Sequence, residues 1–487
     1  MLERNNLEAT KKYLFSPRSV AVIGASNTKG TWGFNAMKGL PVIKGRRVYP
    51  VNPNATEILG IKAYRSVTDI PDPVDLAVIV VSEKLVASVL RECVVKGVKV
   101  ATIITSGFGE TGESGQEMEL ELVRIAHEGG IRFIGPNSMG HADTRSQLST
   151  FGQTGKMPKG PVAVLSQSGS TCLKIVRTLE GSGIACSKYI STGNEADLRI
   201  EDYLEFLAHD DDTKLIAAYI EGIRDGGRFL KLAREITVNK PIVVVKVGGT
   251  ESSAKAVMSH TGALAGSDAV YTAAFKQAGV IRVDDENELC DMVEALLHYP
   301  LPRGNRIGIL SLGGGPGALT AEACEREGLS IGKLQPSTIE KLDKFLPPRW
   351  PRRNPVDMAG PSAAEFFLVA ELLWPLIEDK NLDSILLLAP IVMDRKLLTS
   401  RMGLKAEQVE DIQKKEENNL KQVRKKMDEY GKPVVFMWQA PGSRGDSELS
   451  KLFHREKISV YTNARRAARV MRHLVWYRQY LDAVKGK

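Results

Sequence analysis

The sequence predicts an α/β fold built from parallel sheets with helices on both faces. Short apolar runs rich in valine and isoleucine alternate along the chain with amphipathic stretches such as 84–96 and 116–127. Buried parallel strands have this near-continuous apolar pattern. Several runs also end in small or glycine-rich turns that lead into a helix. The predicted strands are 19–24, 48–52, 76–81, 100–104, 132–134, 161–165, 186–190, 215–220, 241–246, 306–311, 384–388 and 433–438.

The length of 487 residues is sufficient for about three domains of ~150 residues each. The strand pattern divides the chain in the same way, into predicted domains at 10–145, 155–300 and 303–487. Residues 301–305 are predicted to be a linker because they combine proline, glycine and asparagine.

Charge and cysteine content exclude several classes of protein. The net charge of +8 is concentrated in 453–487, so the rest of the chain does not favour a nucleic-acid surface. Five scattered cysteines without a CxxC pair indicate a reducing compartment. The longest apolar run, 385–393, is far shorter than the ~20 residues of a membrane-spanning helix, and 1–12 is too charged for a signal peptide. We therefore expect a cytoplasmic protein with no nucleic-acid partner, no membrane partner and no metal site.

Two polar stretches near the end of the chain predict surface helices. Residues 405–430 are dense in glutamate, lysine and glutamine, which favours a solvated helix, with a partner surface as the alternative. Residues 464–484 place apolar side chains at helical spacing within a basic stretch. This pattern indicates an amphipathic helix that closes the last domain. A surface for anionic membranes or nucleic acid is the alternative for this second helix.

The turn at 24–30 follows the first strand and precedes a helix, so its backbone N–H groups are suited to binding phosphate. It is not a GxGxxG motif, and the second strand leads to Asn52 rather than to an acidic residue. An NAD-dependent dehydrogenase is therefore disfavoured, because the carboxylate that holds the ribose is missing. The turn favours a different nucleotide-like ligand, with a turn that binds nothing as the alternative.

Two further turns have the same position between a strand and a helix. Residues 166–170 combine three serines with a glycine, a composition suited to an anion. Residues 311–317 contain three consecutive glycines, which allow a ligand to approach the backbone closely. Each turn alone is weak evidence, but together the three turns indicate phosphate chemistry.

His260 and Glu221 are the candidates for catalysis. His260 is surrounded by small residues within 259–266, which would leave its ring approachable. Glu221 follows a predicted buried strand, at the edge where open α/β sheets bind ligands. A carboxylate there can hold one imidazole nitrogen and leave the other nucleophilic. From the residues alone, a structural histidine and an ion-paired or helix-capping glutamate remain the alternatives.

Together these motifs resemble the alpha subunit of ADP-forming (NDP-forming) acyl-CoA synthetases, relatives of the succinyl-CoA synthetase alpha chain. The most specific segment, Ser259-His-Thr-Gly-Ala-Leu-Ala-Gly266, is similar to the family's phosphohistidine loop. The resemblance implies an N-terminal Rossmann-like CoA-binding domain followed by two flavodoxin-like parallel-sheet domains. The other matching segments are 16–26, 48–53, 75–81, 135–137, 165–169, 191–194, 219–222 and 354–357.

The resemblance also implies a role for each candidate residue. His260 would be the transiently phosphorylated nucleophile, and Glu221 would orient and stabilise it. The residues expected to bind phosphate are Ser166, Gln167, Ser168, Gly169 and Ser170. The residues expected to bind coenzyme A are Gly24, Ser26, Asn27, Thr28, Lys29, Thr105, Ser106 and Asn137.

The reaction that the resemblance implies interconverts acyl-CoA, ADP and phosphate with a carboxylic acid, ATP and CoA. It would proceed through an acyl phosphate and a phosphohistidine. No ATP-grasp domain and no Walker A motif are recognised, so an ATP-grasp beta subunit is implied, which would hold most of the Mg-ADP or Mg-ATP. The alternative function is a non-catalytic CoA- or nucleotide-binding sensor, which would need neither His260 nor Glu221.

Overall fold

The chain forms two compact units, residues 1–290 and 291–487. The first unit contains two large sheets and the second unit contains one. The computed structural model describes residues 2–40, 45–153, 155–255, 267–358, 369–389, 399, 403, 405–437 and 448–486.

The first sheet consists of five parallel strands separated by helices. Its elements are α1 (Leu2–Phe15), β1 (Ser19–Ile23), α2 (Trp32–Gly39), β2 (Arg47–Val51), a hairpin of β3 (Glu57–Ile58) and β4 (Ile61–Lys62), β5 (Leu76–Ile79), α3 (Glu83–Lys96), β6 (Val100–Ile103), α4 (Glu113–Glu128) and β7 (Arg132–Ile134). The strand order is β2-β1-β5-β6-β7. All five residues of β1 are buried, as expected for a strand covered on both faces.

The second sheet has seven strands. Its elements are β8 (Gly140–Asp143), β9 (Leu148–Ser149), β10 (Val162–Ser166), α5 (Gly169–Gly181), β11 (Cys186–Ser191), α6 (Ile200–Ala208), β12 (Leu215–Ile220), α7 (Gly226–Thr237), β13 (Ile242–Lys246), α8 (Asp268–Ala278), β14 (Ile281–Val283) and α9 (Glu286–His298). The strand order is β14-β13-β12-β10-β11-β8-β9, and β8 and β9 are antiparallel. Ser166 pairs with both Tyr219 and Ser191, so the carboxyl ends of β10, β11 and β12 are level with one another.

The third sheet lies in the second unit. Its elements are β15 (Arg306–Ser311), α10 (Gly314–Arg326), β16 (Ser330–Ile331), α11 (Pro336–Leu342), β17 (Val356–Asp357), α12 (Val369–Glu378), β18 (Ser384–Leu388), α13 (Ala406–Tyr430), β19 (Val434–Met437), α14 (Glu448–Arg455), β20 (Val460–Tyr461) and α15 (Ala464–Lys485). The strand order is β16-β15-β18-β19-β20, and the short β17 also pairs with β15. Every pairing in this sheet is parallel.

The three sheets share one arrangement of their main parallel strands. Counted from the N-terminal strand of each sheet, the order is 2-1-3-4-5. The chain therefore reverses its direction of winding between the first and third strands. Ligands of doubly wound sheets bind at the carboxyl ends of the strands at this switch point. The three switch points lie between β1 and β5, between β10 and β12, and between β15 and β18.

The predicted α/β fold class is confirmed. The twelve predicted strands correspond to β1, β2, β5, β6, β7, β10 to β13, β15, β18 and β19, with ends that agree within two residues. The prediction lacks β3, β4, β8, β9, β14, β16, β17 and β20, which have only two to four residues each. The ranges of the three predicted domains remain predictions. The strands β8 and β9, at one end of the second sheet, extend this sheet back to residue 140.

Both predicted surface helices are present. α13 buries an apolar stripe that includes Val409, Leu420 and Met427, while its exposed face carries ion pairs such as Glu410–Lys414. α15 buries the apolar residues at the start of its predicted stripe and ends in exposed residues. Within the described ranges, no helix combines the length and apolar character needed to cross a bilayer.

Candidate active site

The first switch point carries the turn that begins at Gly24. Gly24 has a φ of +91°, and a Cβ atom there would lie 2.3 Å from the Val80 carbonyl oxygen, so only glycine fits. A Cβ atom on Gly33 would lie 2.0 Å from the Gly24 carbonyl oxygen. Helix α2 therefore begins directly against the turn. Apart from the Phe34 N–H, which donates to the cap residue Thr31, the N–H groups of its first residues have no acceptor within the helix and can bind an anion at the switch point.

The polar side chains of this turn lie at the surface. Ser26 Oγ accepts a hydrogen bond from Thr28 N at 3.0 Å, and Lys29 is exposed. Thr31 caps α2 by accepting from Phe34 N. Exposed N–H groups, a hydroxyl and an ammonium group together fit a ligand that carries phosphate groups.

Asn27 fixes the β3–β4 hairpin beside this turn. Its Nδ2 donates to the Glu57 carbonyl at 3.1 Å, and its Oδ1 accepts from Leu59 N at 2.9 Å. Leu59 and Trp32 are exposed apolar side chains in the same region. The hairpin therefore forms a second wall beside the turn, which the sequence did not predict.

Thr105, Ser106 and Asn137 follow the neighbouring strands β6 and β7. Thr105 Oγ1 donates to the Val81 carbonyl at 2.7 Å, and Asn137 N donates to the Thr105 carbonyl at 2.8 Å. Ser106 is exposed. The structure thus brings the predicted CoA-binding residues to one edge of the first sheet, the carboxyl ends of β1, β5, β6 and β7.

The second switch point carries the turn from Ser166 to Ser170. Ser166 Oγ donates to the Ser168 carbonyl at 2.6 Å and accepts from Ser168 N, so it braces the turn from inside. Ser168 caps α5 by accepting from Thr171 N. Ser168 and Gly169 are half-buried and Ser170 is exposed, so the start of the helix is the part of this turn that a phosphate group can reach.

Gln167 joins this turn to the end of the neighbouring strand β12. Its Oε1 accepts from Glu221 N and from Gly222 N, the latter at 3.0 Å, and its Nε2 donates to the Gly222 carbonyl at 2.9 Å. We call this set of contacts the Gln167 clamp. It brings Glu221, which is 5 % exposed, next to the N-terminus of α5 across the switch point.

The carboxyl edges of the first and second sheets meet at Asn137 and Asn194. Asn194 N donates to the Pro136 carbonyl at 3.0 Å, and Asn137 Nδ2 donates to Asn194 Oδ1 at 3.2 Å. The expected position of Asn137, where the first sheet faces the second, agrees with this contact. The carboxyl edges of the two sheets are therefore in direct contact at this point.

The prediction did not include the polar network that supports this meeting point. Asn194 Nδ2 donates to Glu110 Oε2 at 2.6 Å and to Glu119 Oε1 at 2.5 Å, and Arg224 donates to the Asn194 carbonyl at 2.8 Å. Burial raises the pKa of the Glu119 carboxyl. Asn194 was the one sequence feature that could have indicated this network, because it lies in the 191–194 segment that matches the family. No role was predicted for it.

Two buried ionisable residues near the second switch point also had no predicted role. Glu195 is 1 % exposed and has a φ of +55°, and burial raises the pKa of its carboxyl to about 7. Lys246 is 7 % exposed, and burial lowers the pKa of its ammonium group to about 8. The position of Lys246 at the end of the apolar strand β13 could have indicated a polar site in the sequence, because a buried charge requires partners.

His260 lies outside the described residues, which omit 256–266. The residues that flank this range are described. Lys246 Nζ donates to the Glu221 carbonyl at 2.8 Å, and a Cβ atom on Gly249 would lie 2.5 Å from Asp268 Oδ1. The chain therefore leaves β13 and returns to α8 at neighbouring points, close to Glu221.

The third turn repeats the bracing seen in the second. Ser311 Oγ donates to the Gly313 carbonyl at 2.7 Å and accepts from Gly313 N, as Ser166 does with Ser168. A cavity of about 940 Å³ lies beside this turn, between α10, the start of α15 and the ends of β18 and β19. Its lining includes Leu319, which is exposed.

Two family models match the first unit and the start of the second. The "CoA binding domain" matches residues 18–143, and the "Succinyl-CoA ligase like flavodoxin domain" matches residues 159–296. The turn at Gly24 and the predicted CoA-binding residues lie in the first match. The Gln167 clamp, Glu221 and the 259–266 segment lie in the second.

Named relatives and solved structures extend these matches. The chain is 47 % identical over 373 residues to the "Acetate–CoA ligase [ADP-forming] II subunit alpha" of Pyrococcus furiosus, covering 76 % of this chain and 80 % of that protein. It is 44 % identical over 354 residues to the "Acetate–CoA ligase [ADP-forming]" of Methanocaldococcus jannaschii, covering 73 % of this chain and 50 % of that longer protein. A solved Ca. Korarchaeum cryptofilum "Acetyl-coenzyme A synthetase 1" in complex with phosphate and ADP has a TM-score of 0.81, 31 % identity and 98 % coverage of both chains.

These findings confirm the resemblance deduced from the motifs and disfavour the sensor alternative. They leave the individual residue roles as predictions. At 47 % identity to an alpha subunit and with four-fifths of that subunit covered, the chain belongs to the family of ADP-forming acyl-CoA synthetases, which are acid–thiol ligases, and it corresponds to their alpha subunit.

Proposed function

We propose that this chain passes a phosphoryl group from an acyl phosphate to a nucleoside diphosphate, with His260 as the carrier. The observation that carries the proposal is the Gln167 clamp, which brings Glu221 beside the N-terminus of α5. A buried carboxylate and a set of outward N–H groups at one switch point fit an imidazole and a phosphate group respectively.

Coenzyme A would bind at the first switch point. The exposed turn residues and the start of α2 would contact its phosphate groups, and the edge that leads to Asn137 would hold its thiol end near Asn194 and the second switch point. The contact between Asn137 and Asn194 supports this path, because it joins the two edges. The residues proposed to contact CoA are Gly24, Ser26, Asn27, Thr28, Lys29, Thr105, Ser106 and Asn137.

The proposed reaction has three steps. A phosphate oxygen attacks the thioester carbonyl, and the carbon–sulfur bond breaks to release CoA and an acyl phosphate. A nitrogen of His260 attacks the phosphorus atom, and the acid leaves as its carboxylate. A terminal oxygen of ADP then attacks the phosphohistidine, which forms ATP and frees the imidazole. Glu221 would hold the other imidazole nitrogen, and the start of α5 at Ser168, Gly169 and Ser170 would bind the phosphoryl oxygens, with Ser166 and Gln167 bracing that turn.

The last step requires a nucleotide site, which we assign to an ATP-grasp beta subunit that also holds the magnesium ion. One relative is named as subunit alpha, which supports a separate beta subunit. Another relative is about twice as long as the region that it matches, which supports a second part fused in the same chain. We propose acetyl-CoA as the first substrate to test because these relatives are named for acetate. The cytoplasm is the proposed location.

Reconstitution tests the proposal. The purified chain, an ATP-grasp beta subunit from the same genome, acetyl-CoA, phosphate and Mg-ADP should form ATP, and omission of either protein should abolish it. His260→Ala should abolish ATP formation while CoA binding, measured by calorimetry, stays unchanged. ATP formation by the His260→Ala variant would contradict the proposal. CoA binding without any turnover by the wild type would favour the sensor function.

A further inference from the structure

Lys246 ends the otherwise apolar strand β13, where its side chain is almost completely buried. A buried ammonium group is costly unless hydrogen bonds satisfy it. Lys246 Nζ donates to the Glu221 carbonyl at 2.8 Å and also donates to the Val247 carbonyl. The ammonium group therefore joins the ends of β12 and β13 at the residue that the proposed mechanism uses.

Tyr271 extends this junction to helix α8. Lys246 Nζ lies 4.3 Å from the centroid of the Tyr271 ring, a cation–π contact. Tyr271 Oη accepts from Ile223 N at 3.4 Å, two residues after Glu221. Helix α8 follows the 256–266 segment in the sequence, and the same two side chains join the main chain after β12 to this helix.

Charged groups face Lys246 from three neighbouring elements. Glu221 follows β12, Asp268 begins α8, and Arg282 lies on β14, where it forms an ion pair with Asp268 at 2.5 Å. Burial and Arg282 lower the pKa of Lys246 to about 8, while Asp268 and Glu221 oppose this effect. The charge of Lys246 therefore changes as the pH rises through about 8.

We propose that Lys246 is a positioning residue for phosphoryl transfer: it holds the main chain of Glu221 and, through Tyr271, joins it to helix α8. This inference rests on the proposed function. Lys246 acts through Glu221 and does not touch the substrate. Its loss should slow phosphorylation of His260 without changing the affinity for CoA, because the first switch point is unaffected.

Lys240 provides a matched control at the opposite end of β13. Its Nζ also donates to two carbonyl oxygens, those of Leu207 at 2.8 Å and Asp210 at 2.7 Å, and burial lowers its pKa too. Lys240→Met and Lys246→Met therefore remove the same kind of structural contact. Only the second removes it next to Glu221.

The experiment uses the full chain and acetyl phosphate labelled with ³²P, with His260→Ala as the blank. We expect label on the wild type and on Lys240→Met, and a rate at least about tenfold lower for Lys246→Met. Lys246→Arg should retain more activity than Lys246→Met. The wild-type rate should fall as the pH rises through about 8, and this fall should be absent in Lys246→Met. CoA affinity should agree within about twofold among all variants.

Equal rates for Lys240→Met and Lys246→Met at equal thermal stability would overturn the inference and leave the proposed function intact. A wild type that takes up no more label than His260→Ala would overturn both. If Lys246→Met fails to fold, Tyr271→Leu serves as the second variant, because it removes the ring from the same junction. A wild-type rate for folded Tyr271→Leu would then overturn the inference.

Discussion

The turns at the first two switch points differ in the exposure of their polar side chains. Between β1 and β5, the side chains of Thr28 and Lys29 are exposed. Between β10 and β12, the side chains of Ser166 and Gln167 are buried. In the first turn, the absence of side chains at Gly24 and Gly33 allows helix α2 to pack closely against the turn. The polar side chains of this turn remain exposed and can contact a ligand. In the second turn, the polar side chains of Ser166 and Gln167 form hydrogen bonds within the protein. Main-chain N–H groups are the groups that this turn offers to a ligand.

This difference fits the two functions that we propose for these turns, CoA binding at the first and phosphoryl transfer at the second. A large, flexible ligand such as CoA is held by many exposed contacts, each of which contributes a little. Transfer of a phosphoryl group requires fixed donors, since a displacement of about 1 Å can cost ~100-fold in rate. The contrast predicts that variants at the first turn change CoA affinity and that variants at the second turn change the rate of phosphorylation.

The largest expected effect belongs to Gly24→Ala, which should lower CoA affinity more than about 100-fold. Its Cβ atom would lie 2.3 Å from the Val80 carbonyl oxygen, so the turn must move. Gly30→Ala is the matched control, because Gly30 also has a positive φ but no atom lies within 4 Å of its added Cβ. Calorimetry with CoA distinguishes the two. Equal losses for both variants would show that backbone strain, rather than the close approach, governs this turn.

Gln167→Met should lower the rate of His260 phosphorylation about 10- to 100-fold and leave CoA affinity unchanged, because it releases the main chain of Glu221. Gln147→Met is its control. Gln147 makes a similar clamp on Met157, accepting from its N–H at 2.8 Å and donating to its carbonyl at 2.9 Å, away from both switch points. Single-turnover labelling with acetyl phosphate measures the rates. Equal slowing of the labelling by Gln167→Met and Gln147→Met would contradict a specific role of Gln167.

Lys29→Ala should weaken CoA binding about three- to tenfold, since the ammonium group is exposed and screened by solvent. The loss should shrink as the salt concentration rises. Titrations at low and high salt measure it, with the labelling rate from acetyl phosphate as the internal reference. An unchanged affinity at low salt would remove Lys29 from the proposed CoA contacts.

Glu195→Gln should have the smallest effect on activity but should change the dependence of stability on pH. Burial raises the pKa of Glu195 from 4.5 to about 7, so folding favours its protonated form. The wild type should therefore lose stability as the pH rises from about 4.5 through about 7, by up to ~3 kcal/mol. Glu195→Gln should lack this loss. Denaturant unfolding at pH 4 and pH 8 tests this change of stability with pH, which should be small at pH 4 and largest at pH 8.

The long apolar strands were predictable because each is buried on both faces and has the composition of a central parallel strand. The strands β8 and β9 of the second sheet were not predictable in this way, since Gly140–Asp143 lacks a long apolar run and Leu148–Ser149 has only two residues. The Gly24 turn and Glu221 were found from their position after a strand.

The roles of Gln167 and Lys246 could not be predicted in the same way. Gln167 lies in a turn that favours phosphate binding, but its side chain bonds to a strand 54 residues later in the chain. The partners of Lys246 come from β12 and α8, which only the fold brings together. Local motifs therefore predicted where we propose that the chemistry occurs, while the supporting contacts required the topology of the sheet.

The central claim is that His260 carries the phosphoryl group at the edge that the Gln167 clamp organises. The direct test is to expose the full chain to acetyl phosphate, digest it with trypsin at alkaline pH and locate the added phosphate by mass spectrometry. Cleavage after Lys255 and Lys276 yields a peptide that contains a single histidine, His260. We predict one phosphate on that histidine in the wild type and none in His260→Ala. Phosphate on a different residue, or phosphate that persists in His260→Ala, would contradict the account.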